Sequence, residues 1–158
     1  MFRRLKREMC FLIEHFRLAG LCAFLCCMGG ILLWVSGGSN AYWLRGGPVP
    51  IGGLFFLWLL IYGLTGLLLA CLLLGERGCA ALGLCTGAYV LMLCWYAVYF
   101  CTRLVMFSGL LLLLCMICYG MIFAVVRRGF LLTKVIVLLG LICQICCLVC
   151  CYFVNLLI

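Results

Sequence analysis

The sequence predicts an all-α membrane protein, a bundle of five transmembrane helices. Three observations predict it. Of the 158 residues, 71% are apolar or aromatic and only 9% are charged, whereas a soluble domain is nearer half apolar and a quarter charged. Five apolar runs are each long enough to cross a hydrocarbon layer about 30 Å thick. Only short polar turns separate the last four runs, and short turns force antiparallel neighbours within one bundle. A water-soluble core of this length could not bury so many apolar side chains. A cytosolic enzyme, a nucleic-acid reader and a disordered regulator are therefore excluded.

Residues 1–17 form a basic amphipathic segment. Arg3, Arg4, Lys6, Arg7 and Arg17 alternate with Phe2, Leu5, Met9, Leu12 and Phe16. That spacing predicts a helix lying on the bilayer surface. A cleaved signal peptide is the competing reading. Glu14, His15 and Arg17 interrupt its apolar part, and no Ala-x-Ala-like site follows. The transmembrane domain then covers residues 18–158. Its first span is Leu18–Ser36. The loop Gly37–Pro50 is the longest, with paired glycines, Pro48 and Pro50 as turn formers and Tyr42 and Trp43 as interface aromatics. The second span is Ile51–Leu74, bounded by Pro50 and the Glu76-Arg77 turn. The third is Cys79–Cys101, ending at Arg103. The fourth is Leu104–Val126, ending at Arg127-Arg128. The fifth is Leu131–Ile158, with Lys134 near its start.

Net charge is +8, from 11 Lys and Arg against 3 Asp and Glu. These bases sit at segment ends, where they meet lipid headgroups, and no basic stripe for nucleic acid is present. Five spans put the termini on opposite sides. The N-terminal side carries the basic tail, Arg77, Arg127 and Arg128. The other side carries Arg45 and Arg103. The positive-inside rule then places the N-terminus in the cytoplasm.

Most of the 16 cysteines lie inside apolar runs, where reduced Cys is a small packing residue. Cys10 and Cys79, near segment ends, are candidate palmitoylation sites. Cys115–Cys118 and Cys143–Cys146 have CxxC spacing. Redox work needs an electropositive, partly exposed thiolate, so packing is the preferred reading. Zinc would need four ligands and a supporting second layer of contacts, and no metal site is expected. The one histidine, His15, and the three acids, Glu8, Glu14 and Glu76, all lie outside the spans. They assemble no catalytic constellation, so no catalytic residue and no cofactor are expected.

Gly83 and Gly87 have GxxxG spacing, which permits close helix approach. Internal packing and a homodimer seam through helix three both fit. Trp58 and Tyr62 share one face of helix two. Trp95, Tyr99 and Phe100 follow on helix three, and Phe107 begins helix four. Such rings either pack a core or line a pocket for a flat apolar molecule such as a sterol or tetrapyrrole. Gln144 and Asn155 are amides deep in helix five, and each needs a partner in hydrocarbon. Leu93, Tyr99 and Arg103 fit the permissive pattern proposed for cholesterol; Arg103 otherwise reads as a snorkelling cation.

Four stretches resemble the translocator protein family, also called tryptophan-rich sensory proteins or peripheral benzodiazepine receptors. Trp58, Tyr62 and Gly66 look like its Trp-x-x-x-Tyr-x-x-x-Gly in helix two. Leu82-Gly83-Leu84-Cys85-Thr86-Gly87 looks like its Leu-Gly-Leu-Tyr-Thr-Gly. Trp95 through Phe100 and Arg103 look like its Trp-x-x-x-Phe-Phe-x-x-Arg, and Val154-Asn155 sits where the family has Leu-Asn. The resemblance covers about 120 residues, from the first span to the last, and is most specific in helix three. There are departures. Met92 stands for an Asn, Phe107 for a Trp, Leu111 for an acid, Cys143-Gln144 for a Pro-Tyr pair and Cys147 for a Trp. The lid is reduced to Gly47-Pro48-Val49-Pro50, and the family's C-terminal cholesterol motif is absent after Asn155.

The resemblance implies a five-helix bundle with a pocket beneath the first loop. It implies porphyrin (haem included, as ligand), cholesterol or benzodiazepine-site ligands and a dimer. It also implies the outer mitochondrial membrane, with the endoplasmic reticulum or another host membrane as the alternative. By matched position, the pocket would use Leu54, Trp58, Trp95, Phe100, Phe107, Cys151, Val154 and Asn155. Cys147 argues against the porphyrin photodegradation proposed for some members. The expected function is binding of a small hydrophobic ligand within the lipid bilayer, for transport or sensing, without enzyme activity. The alternatives are a ligand-free membrane scaffold and a thiol oxidoreductase using Cys115 and Cys118.

Overall fold

The computed structural model describes residues 10, 13–37, 51–74, 79–102, 104–126 and 131–156, with the backbone alone at 37, 51, 52, 101 and 152–156. Most of the basic N-terminal segment, the first loop and the turns bearing Arg77, Arg103, Arg127 and Arg128 fall outside these residues.

The chain is an all-α integral membrane protein. Its helices are α1 (Phe16–Gly37), α2 (Ile51–Leu74), α3 (Cys79–Ala97), α4 (Val105–Val125) and α5 (Leu131–Leu156). A single π-helical turn, Val98–Thr102, continues α3. Among the described residues, five helices are long and apolar enough to cross a membrane. At 1.5 Å per residue, the 19 residues of α3 and its five-residue π turn span roughly the hydrocarbon layer. The carbonyl of His15 accepts bonds from the amides of Leu18 and Ala19 and so opens α1.

Outward faces carry Phe24, Leu32, Phe56, Leu60, Ile117 and Ile142, all exposed. In water such a belt would drive association; in lipid it is ordinary solvent contact. The hydrophobic effect does not favour helix association there, so packing shape and internal hydrogen bonds must hold the bundle.

Helix α2 is the hub. It packs on α1, α3 and α5, while α4 packs on α3 and α5. Trp58, Ile61, Tyr62 and Thr65 recur at helical spacing and are all buried. Gly66 sets the α1–α2 crossing. A Cβ there would lie 2.5 Å from Ala23 Cα and 2.6 Å from the Cys22 carbonyl oxygen. Only a residue without a side chain lets the two backbones meet this closely. Gly140 does the same beneath the ring of Tyr119, whose Cε1 would be 2.5 Å from an added Cβ.

A chain of polar contacts runs through the apolar centre. Thr65 donates to the Ile61 carbonyl at 2.8 Å, and its oxygen lies 2.6 Å from the Tyr119 hydroxyl. The Cys115 thiol donates to the Ala88 carbonyl at 3.5 Å and accepts from Gln144 Nε2 at 3.5 Å. Gln144 thus finds the interhelical partner its sequence position demanded. Its partner is a thiol, which periodicity did not single out.

Candidate functional site

The aromatic residues converge at one end of the bundle. Trp34 comes from α1, Trp58 from α2, Trp95 and Tyr96 from α3, and Tyr99 and Phe100 from the π turn. Trp58 stacks on Tyr96, with centroids 4.3 Å apart and planes at 27°. Trp95 stacks on Tyr99 at 5.4 Å and 15°. Trp34 lies 5.8 Å from Phe100, edge to face, and 6.5 Å from Trp58. Widened π turns recur at functional sites because they re-aim side chains. Here Tyr99 and Phe100, adjacent in sequence, are both buried. The turn is tied by the Thr102 hydroxyl donating to the Val98 carbonyl at 2.7 Å.

These rings enclose a cavity of about 10 Å³, lined by Trp34, Leu54, Trp58, Trp95, Phe100, Cys147 and Cys151. That volume holds roughly one water-sized sphere, whereas sites for drug-sized molecules run to about 300–1,000 Å³. Two larger voids, of about 220 and 350 Å³, are grooves on the bundle surface between α1 and its neighbours. They open toward lipid.

Five of the expected pocket residues, Leu54, Trp58, Trp95, Phe100 and Cys151, line this one cavity. Phe107 does not. It is 51% exposed, in the first turn of α4. The inward line of α4 runs through Ser108, Leu112, Cys115, Tyr119 and Ile122. Phe107 sits one residue, about 100° of helical rotation, away from Ser108. The side chains of Val154 and Asn155 fall outside the described residues. Trp34 and Cys147 complete the lining, and periodicity within single helices did not select them. A signal existed for Trp34: with Trp58 and Trp95 it is one of the three tryptophans placed inside apolar runs.

Three buried polar atoms have no hydrogen-bond partner among the described residues: Trp58 Nε1, the Tyr62 hydroxyl and Gln144 Oε1. An unsatisfied buried donor or acceptor costs about 1–3 kcal/mol. Trp58 Nε1 belongs to a cavity-lining side chain.

The CxxC pairs are split between environments. Cys115 is buried and bonded, and Cys118 is half-buried; Cys143 is half-buried, and Cys146 is exposed. The described cysteine side chains are in the reduced thiol form. A different pair stands out. The sulfurs of Cys147 and Cys151 lie 4.0 Å apart on the cavity wall.

Gly83 and Gly87 face outward from α3, and a Cβ on either would meet nothing within 4 Å. They serve no close approach inside the bundle. No protein-family model, curated protein or solved structure matches this chain.

Proposed function

We propose that this protein binds a flat apolar ligand, of porphyrin, sterol or benzodiazepine-site type, between its helices at the aromatic cavity. The protein would carry or sense that ligand within the membrane and catalyse no reaction. One observation carries the reading. Three intramembrane tryptophans from three different helices meet around a single cavity, and one of them, Trp58, holds a buried N–H with no acceptor among the described residues. A ligand with one hydrogen-bond acceptor and a flat apolar body would stack on the rings and satisfy that donor. The resemblance of helices two and three to the translocator family supports the same reading.

The cavity is closed around the space of one water. Binding therefore requires the rings to part, and affinity is reduced by the fraction of time the closed form is populated. Tryptophan fluorescence of the purified protein, titrated with protoporphyrin IX and a benzodiazepine-site ligand, tests this. Saturable quenching that Trp95→Ala weakens supports the pocket. Linear quenching in both proteins is detergent partitioning and ends this reading.

The smallness of the cavity favours a second reading, a scaffold that engages other membrane proteins or a second copy through its helix faces. The outward Gly83 and Gly87 would suit such a seam. This reading expects no saturable ligand and a stable complex in detergent.

A further inference from the structure

We propose that Cys147 and Cys151 form a two-coordinate site for a soft divalent cation of the mercuric class. They stand one turn apart on α5, so both sulfurs project from one face. Both are buried, 4.0 Å apart, and both line the cavity of about 10 Å³. The void holds about one water-sized sphere, the scale of a single monatomic ion.

The donor set selects the metal. Thiolates prefer soft ions. Metal–thiolate bonds of about 2.3 Å place two sulfurs up to about 4.6 Å apart when the unit is linear. A small side-chain rotation from 4.0 Å reaches that span. Among the described residues, no group of three or more His, Cys, Asp or Glu side chains could hold a metal. The pair therefore suits two-coordinate chemistry and not tetrahedral zinc.

Charge selects the valence. A net charge is expensive in hydrocarbon. A divalent ion with two thiolates is neutral, whereas a monovalent ion leaves one negative charge buried. Lys134, the basic residue of α5, is about 20 Å away along the helix axis at 1.5 Å per residue. On binding, two S–H bonds are replaced by two sulfur–metal bonds and two protons leave to bulk water. No oxidant or reductant is involved, and affinity rises with pH. The Tyr99 hydroxyl is a hydrogen-bond partner of Cys151 and would orient the bound sulfur. Trp34, Trp58, Trp95 and Phe100 complete the lining around the pair. The ion and an apolar ligand would share the cavity but not their contacts, so this inference stands or falls separately from the ligand reading.

The test uses the full-length protein in detergent with one equivalent of Hg(II) and a large excess of glutathione. Glutathione strips single thiols, while a preset pair keeps its ion through effective concentration. The expected result is one mercury retained per chain by mass spectrometry, with tryptophan emission quenched by the heavy atom. Cys147→Ser and Cys151→Ser each weaken retention about 100-fold or more and restore emission. Cys146→Ser and Cys94→Ser change neither. X-ray absorption on the loaded wild-type protein, which needs no variant to fold, gives two sulfur neighbours. No retention over glutathione overturns the proposal. So does retention without quenching, retention unchanged in both cavity variants, or a sulfur count other than two.

Discussion

The hydroxyls of Thr65 on α2 and Tyr119 on α4 meet at 2.6 Å, 54 residues apart in sequence, inside an otherwise apolar interior. Thr65 also bonds the Ile61 carbonyl. In a bilayer, such a bond works as a rivet between helices that gain nothing from hydrophobic association.

Tyr119→Phe and Thr65→Val should each destabilise the bundle by about 0.5–1.5 kcal/mol. The double variant should lose less than the sum, by about 0.6 kcal/mol, typical of interhelical bonds in membranes. Reversible unfolding in mixed micelles reads the cycle. Strict additivity would mean that the two hydroxyls are not energetically coupled.

Glycines sort into two kinds, and substitution should separate them. Gly66→Ala drives a methyl into the backbone of Ala23 and should cost about 1–3 kcal/mol. Gly83→Ala and Gly87→Ala meet open space and should leave monomer stability within about 0.5 kcal/mol. Light scattering on the same samples tests the homodimer seam. Loss of a dimer in Gly87→Leu without loss of helix content supports it; an unchanged oligomeric state removes it.

Within the ligand reading, Phe107→Ala should leave quenching affinity unchanged, because that ring lies outside the cavity. Trp58→Phe keeps a ring but removes the N–H that has no partner among the described residues. It should weaken a ligand that carries an acceptor by roughly 5- to 30-fold, about 1–2 kcal/mol. Equal losses for Phe107→Ala and Trp58→Phe would place the ligand elsewhere.

Gln144 is fully buried, with its amide nitrogen bonded to Cys115 and Oε1 without a partner among the described residues. Gln144→Leu removes one weak bond and one unsatisfied acceptor. The change in unfolding free energy should lie between zero and a gain of about 1–2 kcal/mol. A loss of that size would show that Oε1 holds a buried water.

Thiol accessibility should follow burial. A membrane-permeant maleimide should label the exposed Cys94 and Cys146 under native conditions and spare Cys85, Cys115 and Cys147 until the bundle unfolds. Rapid labelling of Cys115 that responds to reductant would instead favour the oxidoreductase alternative.

Hydropathy alone determined the architecture. Charges and turn formers break the apolar runs at Pro50, Arg77, Arg103 and Arg127, and the boundaries of α2 coincide with those expected. Each such boundary depends on one local quantity, the transfer of a segment into hydrocarbon, which a window of about 20 residues contains. The aromatic spacing on helices two and three left both core packing and a pocket open; Trp58 and Trp95 meet with ring centroids 6.5 Å apart. The tertiary structure decided what remained. A uniformly apolar helix carries no sequence signal for which face turns inward, since lipid and protein interior are equally apolar. Only the packing of the helices on one another put Phe107 of α4 outside, turned Gly83 and Gly87 of α3 outward and brought Trp34 of α1 to the cavity. Only the fold brought Thr65 to Tyr119, because a hydrogen bond between helices distant in sequence depends on their relative rotation, which no single helix encodes.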